Sequence, residues 1–130
     1  MGASWNEICN DCGKKFRASN GGGFVFHLLH CDNCGGEKKI SFMDIGEIHL
    51  KYIKGLDKPY CIATAGYDQY IQDTYLGDPI AKDDYYRLVE EFAGKCECGG
   101  NYTFNARHRC PNCRSTNTEF IRDGDYLLYD

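Results

Sequence analysis

Apolar and polar residues alternate along this chain in short bursts, and only one segment carries a sustained helical period. Lys14 to Ala18 and Phe24 to His30 predict two antiparallel strands, with the glycine-rich stretch Ser19 to Gly23 as the turn between them. Lys39 to Met43 predicts a third strand. Further on, Ile48, Leu50 and Tyr52 alternate with His49 and Lys51, and Tyr60, Ile62 and Thr64 alternate with Cys61 and Ala63. That pattern predicts two more strands about a Gly55 to Pro59 turn. Between Gly66 and Gly77, Tyr67, Tyr70, Ile71 and Tyr75 fall at nearly helical spacing. Asp78-Pro79 then reads as a helix start, aspartate as N-cap and proline in the first position. From Ala81 to Ala93 the residues Tyr85, Leu88, Val89 and Phe92 share one face, and Gly94 is the expected stop. Tyr102 to Ala106 and Thr118 to Arg122 predict the last strands.

Four close cysteine pairs punctuate this pattern: Cys9/Cys12, Cys31/Cys34, Cys96/Cys98 and Cys110/Cys113. Two short loops that each present two thiolates can together surround one metal ion. In sequence order the pairs form two sets, Cys9, Cys12, Cys31 and Cys34 with 18 residues between pairs, and Cys96, Cys98, Cys110 and Cys113 with 11. Each separation suits a hairpin. Glycine follows Cys12, Cys34 and Cys98, where positive φ lets backbone N–H groups approach sulfur. Disulfides are the alternative reading. An odd cysteine count, the absence of a signal peptide and pairs too close in sequence to staple distant segments all oppose it. Zinc is the expected ion, two per chain and structural, while four thiolates hold iron in rubredoxin-type centres equally well.

On these residues the chain resembles zinc ribbons, including the rubredoxin-like ribbons. Cys96-Glu97-Cys98-Gly99-Gly100 with Arg109-Cys110-Pro111-Asn112-Cys113-Arg114-Ser115 looks like the ribbon appended to many bacterial proteins of unknown role. The resemblance covers about half the chain and implies that all eight paired cysteines ligate metal. Two departures stand out: the Cys96/Cys98 loop is one residue shorter than C-x-x-C, and no glycine follows Cys113. His30 beside Cys31 and His108 near Cys110 are the substitutes if that tight loop cannot place both sulfurs. His27 and His49 read as surface or edge residues, and Cys61 as a small buried thiol on a strand.

The expected fold class is α+β, with two small antiparallel zinc-ribbon units flanking a central strand-and-helix segment: residues 1–43, 44–95, and 96–130 with the tail. Each outer unit is too short to fold on apolar burial alone, so metal binding should supply folding energy. No run of about 18 apolar residues is present, and Met1 to Glu7 carries neither the basic start nor the apolar stretch of a secretory signal. The expected compartment is therefore reducing, with the cytoplasm as default.

The formal charge of −4 divides as +1 over residues 1–60, −4 over 61–95 and −1 over 96–130, and two zinc tetrathiolate sites would bring the total to −8. An acidic middle gives no general attraction to phosphate backbones. The leading expectation is a non-enzymatic interaction or adaptor protein whose tyrosine-rich middle meets a protein partner through Tyr67, Tyr70, Tyr75, Tyr85 and Tyr86. Nucleic-acid binding through Lys14, Lys15, Arg17, Arg107, Arg109 and Arg114, with Phe24 and Phe26 stacking bases, is the first alternative. Iron-based electron transfer is the second. A small-molecule substrate is not expected, because closed four-cysteine sites offer no open coordination position and no base stands in reach of Cys61 by sequence.

Overall fold

A computed structural model of the chain describes residues 2–122 and 125–129, so positions 1, 123, 124 and 130 of the two outer segments lie outside the described residues. The strands are β1 (Gly2–Cys9), β2 (Lys15–Asn20), β3 (Phe26–Cys31), β4 (Glu37–Ser41), β5 (Tyr102–Thr103), β6 (Thr118–Phe120) and β7 (Leu127–Tyr129). The helices are α1 (Phe42–Ile45), α2 (Glu47–Lys54), α3 (Ala65–Thr74) and α4 (Lys82–Ala93), with a short 3-10 turn at Ile62–Thr64. The class is α+β.

Two antiparallel sheets organise these elements. In the first, β1 pairs with β2 along one edge; on the other edge it pairs with β6 at Glu7–Cys9 and with β7 at Gly2–Ser4. In the second, β3 is flanked by β4 and β5. Strand β3 is buried from His27 to Cys31: Leu29 packs against the helices, while His30 on the opposite face meets His108. Leu29 and Ile40 from that sheet meet Ile45, Tyr52, Ile53, Ile71, Tyr85, Val89 and Ala93 from the four helices, and this is the core.

Several elements differ from their sequence reading, each for a physical reason. The strands containing Lys15 and Phe26 do not pair with each other across the Ser19 to Gly23 turn; they belong to different sheets, and β2 takes its partner from β1 instead. Residues 48–52 are helical. Their inward set is His49, Tyr52 and Ile53 at i, i+3 and i+4, so a histidine that reads as polar is one of the buried positions that set the period. Residues 60–64 form no strand but a bend and the 3-10 turn that leads into α3. Helix α4 begins three residues beyond Asp78-Pro79, because the Ile80 N–H donates to the Lys51 carbonyl at 3.3 Å and holds that segment against α2. Its buried line is Tyr85, Val89 and Ala93; Phe92, expected on that face, is exposed. Gly94 ends the helix with φ of 73°, as expected.

Candidate metal centres

The eight paired cysteines gather into two tetrads, but not in sequence order. One tetrad is Cys9, Cys12, Cys110 and Cys113; the other is Cys31, Cys34, Cys96 and Cys98. This corrects the grouping expected from spacing, in which each tetrad lay within one end of the chain. The physical cause is strand pairing. β6 lies against the end of β1 and carries the Cys110/Cys113 loop to Cys9, while β5 lies against the end of β3 and carries Cys96/Cys98 to Cys31.

Within each tetrad the ligand atoms lie within 4.8 Å of one another. The closest cross-loop pairs are Cys9 to Cys113 at 3.5 Å, Cys12 to Cys110 at 3.5 Å, Cys31 to Cys98 at 3.4 Å and Cys34 to Cys96 at 3.6 Å. A tetrahedron with metal–sulfur bonds of about 2.3 Å has sulfur–sulfur edges of about 3.8 Å, so both tetrads are close to the right size for one ion.

The four knuckles share one backbone design. Cys9 N–H donates to Lys14 O, Cys31 N–H to Gly36 O and Cys110 N–H to Ser115 O, each five residues on. The Cys96 N–H donates to Gly100 O, only four residues on, so the shorter Cys96/Cys98 loop closes the same turn with one residue fewer. Gly13, Gly35 and Gly99 each carry positive φ and donate N–H back to the first cysteine's carbonyl. Where glycine is missing, Arg114 takes that place with φ of 65°, the one positive-φ residue other than glycine among the described residues. Gly100 is needed for space rather than for φ: a Cβ there would stand 2.6 Å from Cys31 Sγ.

Donors around the sulfurs repeat as well. Asn33 N–H bonds Cys31 Sγ and its side-chain amide reaches Cys98 Sγ at 3.5 Å; Asn112 N–H bonds Cys110 Sγ and its amide reaches Cys12 Sγ at 3.6 Å. Each asparagine thus ties its own knuckle to the partner knuckle. The shared Asn-Cys ending of Cys31-Asp32-Asn33-Cys34 and Cys110-Pro111-Asn112-Cys113 was the sequence signal that these two loops play the same part in separate tetrads.

Hydrogen bonds and crowding set the thiol acidities in opposite directions. The Asn112 amide, with the Lys14 backbone, pulls the Cys12 thiol down to about 6. The Gly100 N–H, with Asn33, does the same for Cys98, also to about 6. The Gly36 N–H favours the Cys34 thiolate, but burial and the sulfurs of Cys98, Cys31 and Cys96 outweigh it and push that thiol up to about 12. Cys113 follows the same pattern: the Ser115 N–H favours its thiolate, while the Cys9 sulfur, burial, Cys12 and Cys110 push it up to about 12. Four sulfurs this close resist ionising together, and a divalent cation between them removes the repulsion.

Neither proposed histidine substitute enters a tetrad. His30 Nε2 stands 3.8 Å from Glu37, and His108 meets the Ser19 carbonyl at 2.9 Å and Glu7 at 3.9 Å. His27 and His49, expected at edges, are buried, and both bond the hydroxyl of the fully buried Tyr85. Tyr85 is therefore withdrawn from the expected partner surface. Tyr67 and Tyr70 are exposed, Tyr75 is half-buried with its hydroxyl on Glu47, and Tyr86 packs against Phe104. Cys61 is half-buried beside Thr64 and stands outside both tetrads. The basic groups considered for nucleic acid are partly engaged: Arg17 bonds Ser4, Asn6 and the Asp125 carbonyl, and Arg109 bonds two knuckle carbonyls. No described helix is long and apolar enough to cross a membrane.

Fold and tetrads together define a small α+β protein whose two ends are joined through a pair of four-cysteine clusters with the geometry of metal sites. The chain belongs to the family described as a domain of unknown function (DUF8255), whose model matches residues 6–119 and so takes in all eight paired cysteines. Neither a curated protein nor a solved structure matches the chain.

Proposed function

We propose that this chain is a zinc-stabilised, non-catalytic binding module. Two structural zinc ions join its ends in ribbon-like knuckles, and its exposed acidic, tyrosine-bearing middle meets a protein partner. The observation that carries this reading is that each tetrad takes one cysteine pair from either end of the chain. An ion in either tetrad would bridge segments about 60 to 100 residues apart, the work of a clasp; with four sulfurs already around it, no coordination position is left for a substrate or a water. Zn²⁺ suits a purely structural ion, since it has no redox change to perform. Tyr67 and Tyr70 on α3, with Asp73 beside them, supply rigid aromatic area within an acidic surround.

The test is elemental analysis with a visible spectrum of the purified protein. Two zinc per chain without colour supports the clasp. Stoichiometric iron with a charge-transfer band would replace it by electron transfer. The partner surface is tested by comparing recovery of a defined partner on wild-type and Tyr67→Ala/Tyr70→Ala bait; equal recovery would overturn it.

A further inference from the structure

A second site lies away from both tetrads. Between the start of α1, helix α2 and the first turn of α3 opens a cavity of about 820 Å³, within the range of small-molecule sites. Its walls are apolar and aromatic, with Phe24, Val25, Phe42, Met43, Leu50 and Tyr67 the main contributors. Two polar groups line it that are more than nine-tenths buried: His49, 5% exposed, and Asp68, 2% exposed.

Each of these groups keeps one atom without a protein partner among the described residues. Both hydrogen bonds to Asp68, from the Tyr60 N–H and the Thr64 hydroxyl at 2.8 Å each, fall on Oδ2 and leave Oδ1 unused. His49 spends Nδ1 on the Tyr85 hydroxyl at 2.8 Å and leaves Nε2 unused. Neither atom is sealed off, since the one fully enclosed, unpartnered side-chain polar atom among the described residues is His30 Nε2. No ion pair joins Asp68 to His49 among the described residues, and both line the same cavity. Open to the cavity and without a protein partner, both atoms are free to bond a ligand in place of water.

Charge selects the ligand class. No lysine or arginine is among the described residues that line the cavity, whereas Asp68 and Glu47 both line it. We propose that this cavity binds an apolar amine, its ammonium donating to Asp68 Oδ1 and His49 Nε2 and its aromatic or aliphatic body lying against Phe24, Phe42 and Tyr67. An ammonium needs an acceptor at Nε2, so His49 carries its hydrogen on Nδ1 and donates to Tyr85 Oη. Tyr85 then donates its own hydrogen to His27 Nε2, 2.7 Å away, and His27 holds its hydrogen on Nδ1. Binding thus fixes one tautomer at both buried histidines.

Amine binding is independent of zinc, and Tyr67, shared with the proposed partner surface, is left unchanged in every variant; protein of verified metal content is used. Phenethylamine, 2-phenylethanol and phenylacetate are titrated by calorimetry at equal ionic strength. Phenethylamine should bind at least tenfold more tightly than the alcohol, with phenylacetate showing no binding. Long-range nitrogen-15 spectra should show His49 protonated at Nδ1 once the amine is bound. Val25→Trp, which fills the cavity from an exposed position, should abolish binding while leaving metal content and unfolding midpoint intact. Asp68→Asn should lower amine affinity at least tenfold. Equal affinity for the three probes, undiminished binding by Val25→Trp, or absence of any binding at millimolar amine would each overturn the proposal.

Discussion

The Arg109 Nε donates to the carbonyl of Asp32 at 2.9 Å, across 77 residues of sequence. Asp32 belongs to the knuckle of one tetrad. Through Nη1 the same guanidinium donates at 2.9 Å to the carbonyl of Arg114, which follows Cys113 of the other tetrad. One planar side chain therefore braces both clusters. Arg109→Ala should lower stability by about 1–2 kcal/mol, as expected for two charge-assisted hydrogen bonds at a partly exposed position, and should speed chelator-driven metal loss from both tetrads. Arg109→Lys keeps the charge without the fork and should recover less than half of that stability. Urea unfolding and metal-release kinetics measure both effects.

Gly100 offers a sharper cut, because its backbone passes Cys31 Sγ, Asn33 Cβ and Asp32 Oδ1 too closely for any side chain. Gly100→Ala should therefore cost one metal equivalent, that of Cys31, Cys34, Cys96 and Cys98. Gly13→Ala meets nothing within 4 Å, so its cost is backbone strain of about 1 kcal/mol and both equivalents should stay. Cys61→Ser should also leave both. Metal content by elemental analysis separates Gly100→Ala from the other two variants.

Arg114 occupies the left-handed region where the other knuckles have glycine. Its contact with Arg109 is made by the backbone carbonyl and survives side-chain removal. Arg114→Gly should thus raise stability by up to about 1 kcal/mol, the relief of φ strain less the extra freedom gained by the unfolded chain. A higher urea midpoint at unchanged metal content is the expected result.

Burial, helped at His27 by the neighbouring His49, holds both imidazoles down to about 4. At His49 the Asp68 carboxylate opposes this shift without overcoming it. Above about pH 7.5 both histidines are essentially uncharged in the folded and unfolded chain alike, and their protonation contributes little. As pH falls through about 6.5 the unfolded chain takes up two protons that the folded chain refuses until about pH 4, so stability declines across that window by on the order of a few kcal/mol. Unfolding free energies from pH 7.5 to 5.5 with zinc in excess should show this slope, and a His27→Asn/His49→Gln variant should flatten it.

The donor set was readable in the sequence because close cysteine pairs are a local signal, and so was α4, whose apolar period runs for three turns. Pairing between knuckles was not readable. It depends on β1 finding β6 across roughly 110 residues of sequence and β3 finding β5 across roughly 70, and strands of two or three residues such as β5 and β6 leave almost no period to detect. Helix α2 was misread because His49 turns inward to share the Tyr85 hydroxyl with His27, an arrangement no single-residue hydrophobicity can announce. The cavity beside it was invisible for the same reason.

The crossed cysteine pairs sit like brackets within brackets. The inner bracket closes from Cys34 to Cys96, 62 residues apart, and the outer from Cys12 to Cys110, 98 apart. Once the inner pair has closed, the outer need span only roughly 30 free residues, a saving in closure entropy of about 1 kcal/mol. During synthesis the inner set of donors is also complete first, at residue 98, and the outer only at residue 113. An ion in each tetrad would thereby give assembly a direction, the inner before the outer, and neither could be held before residue 98 is made.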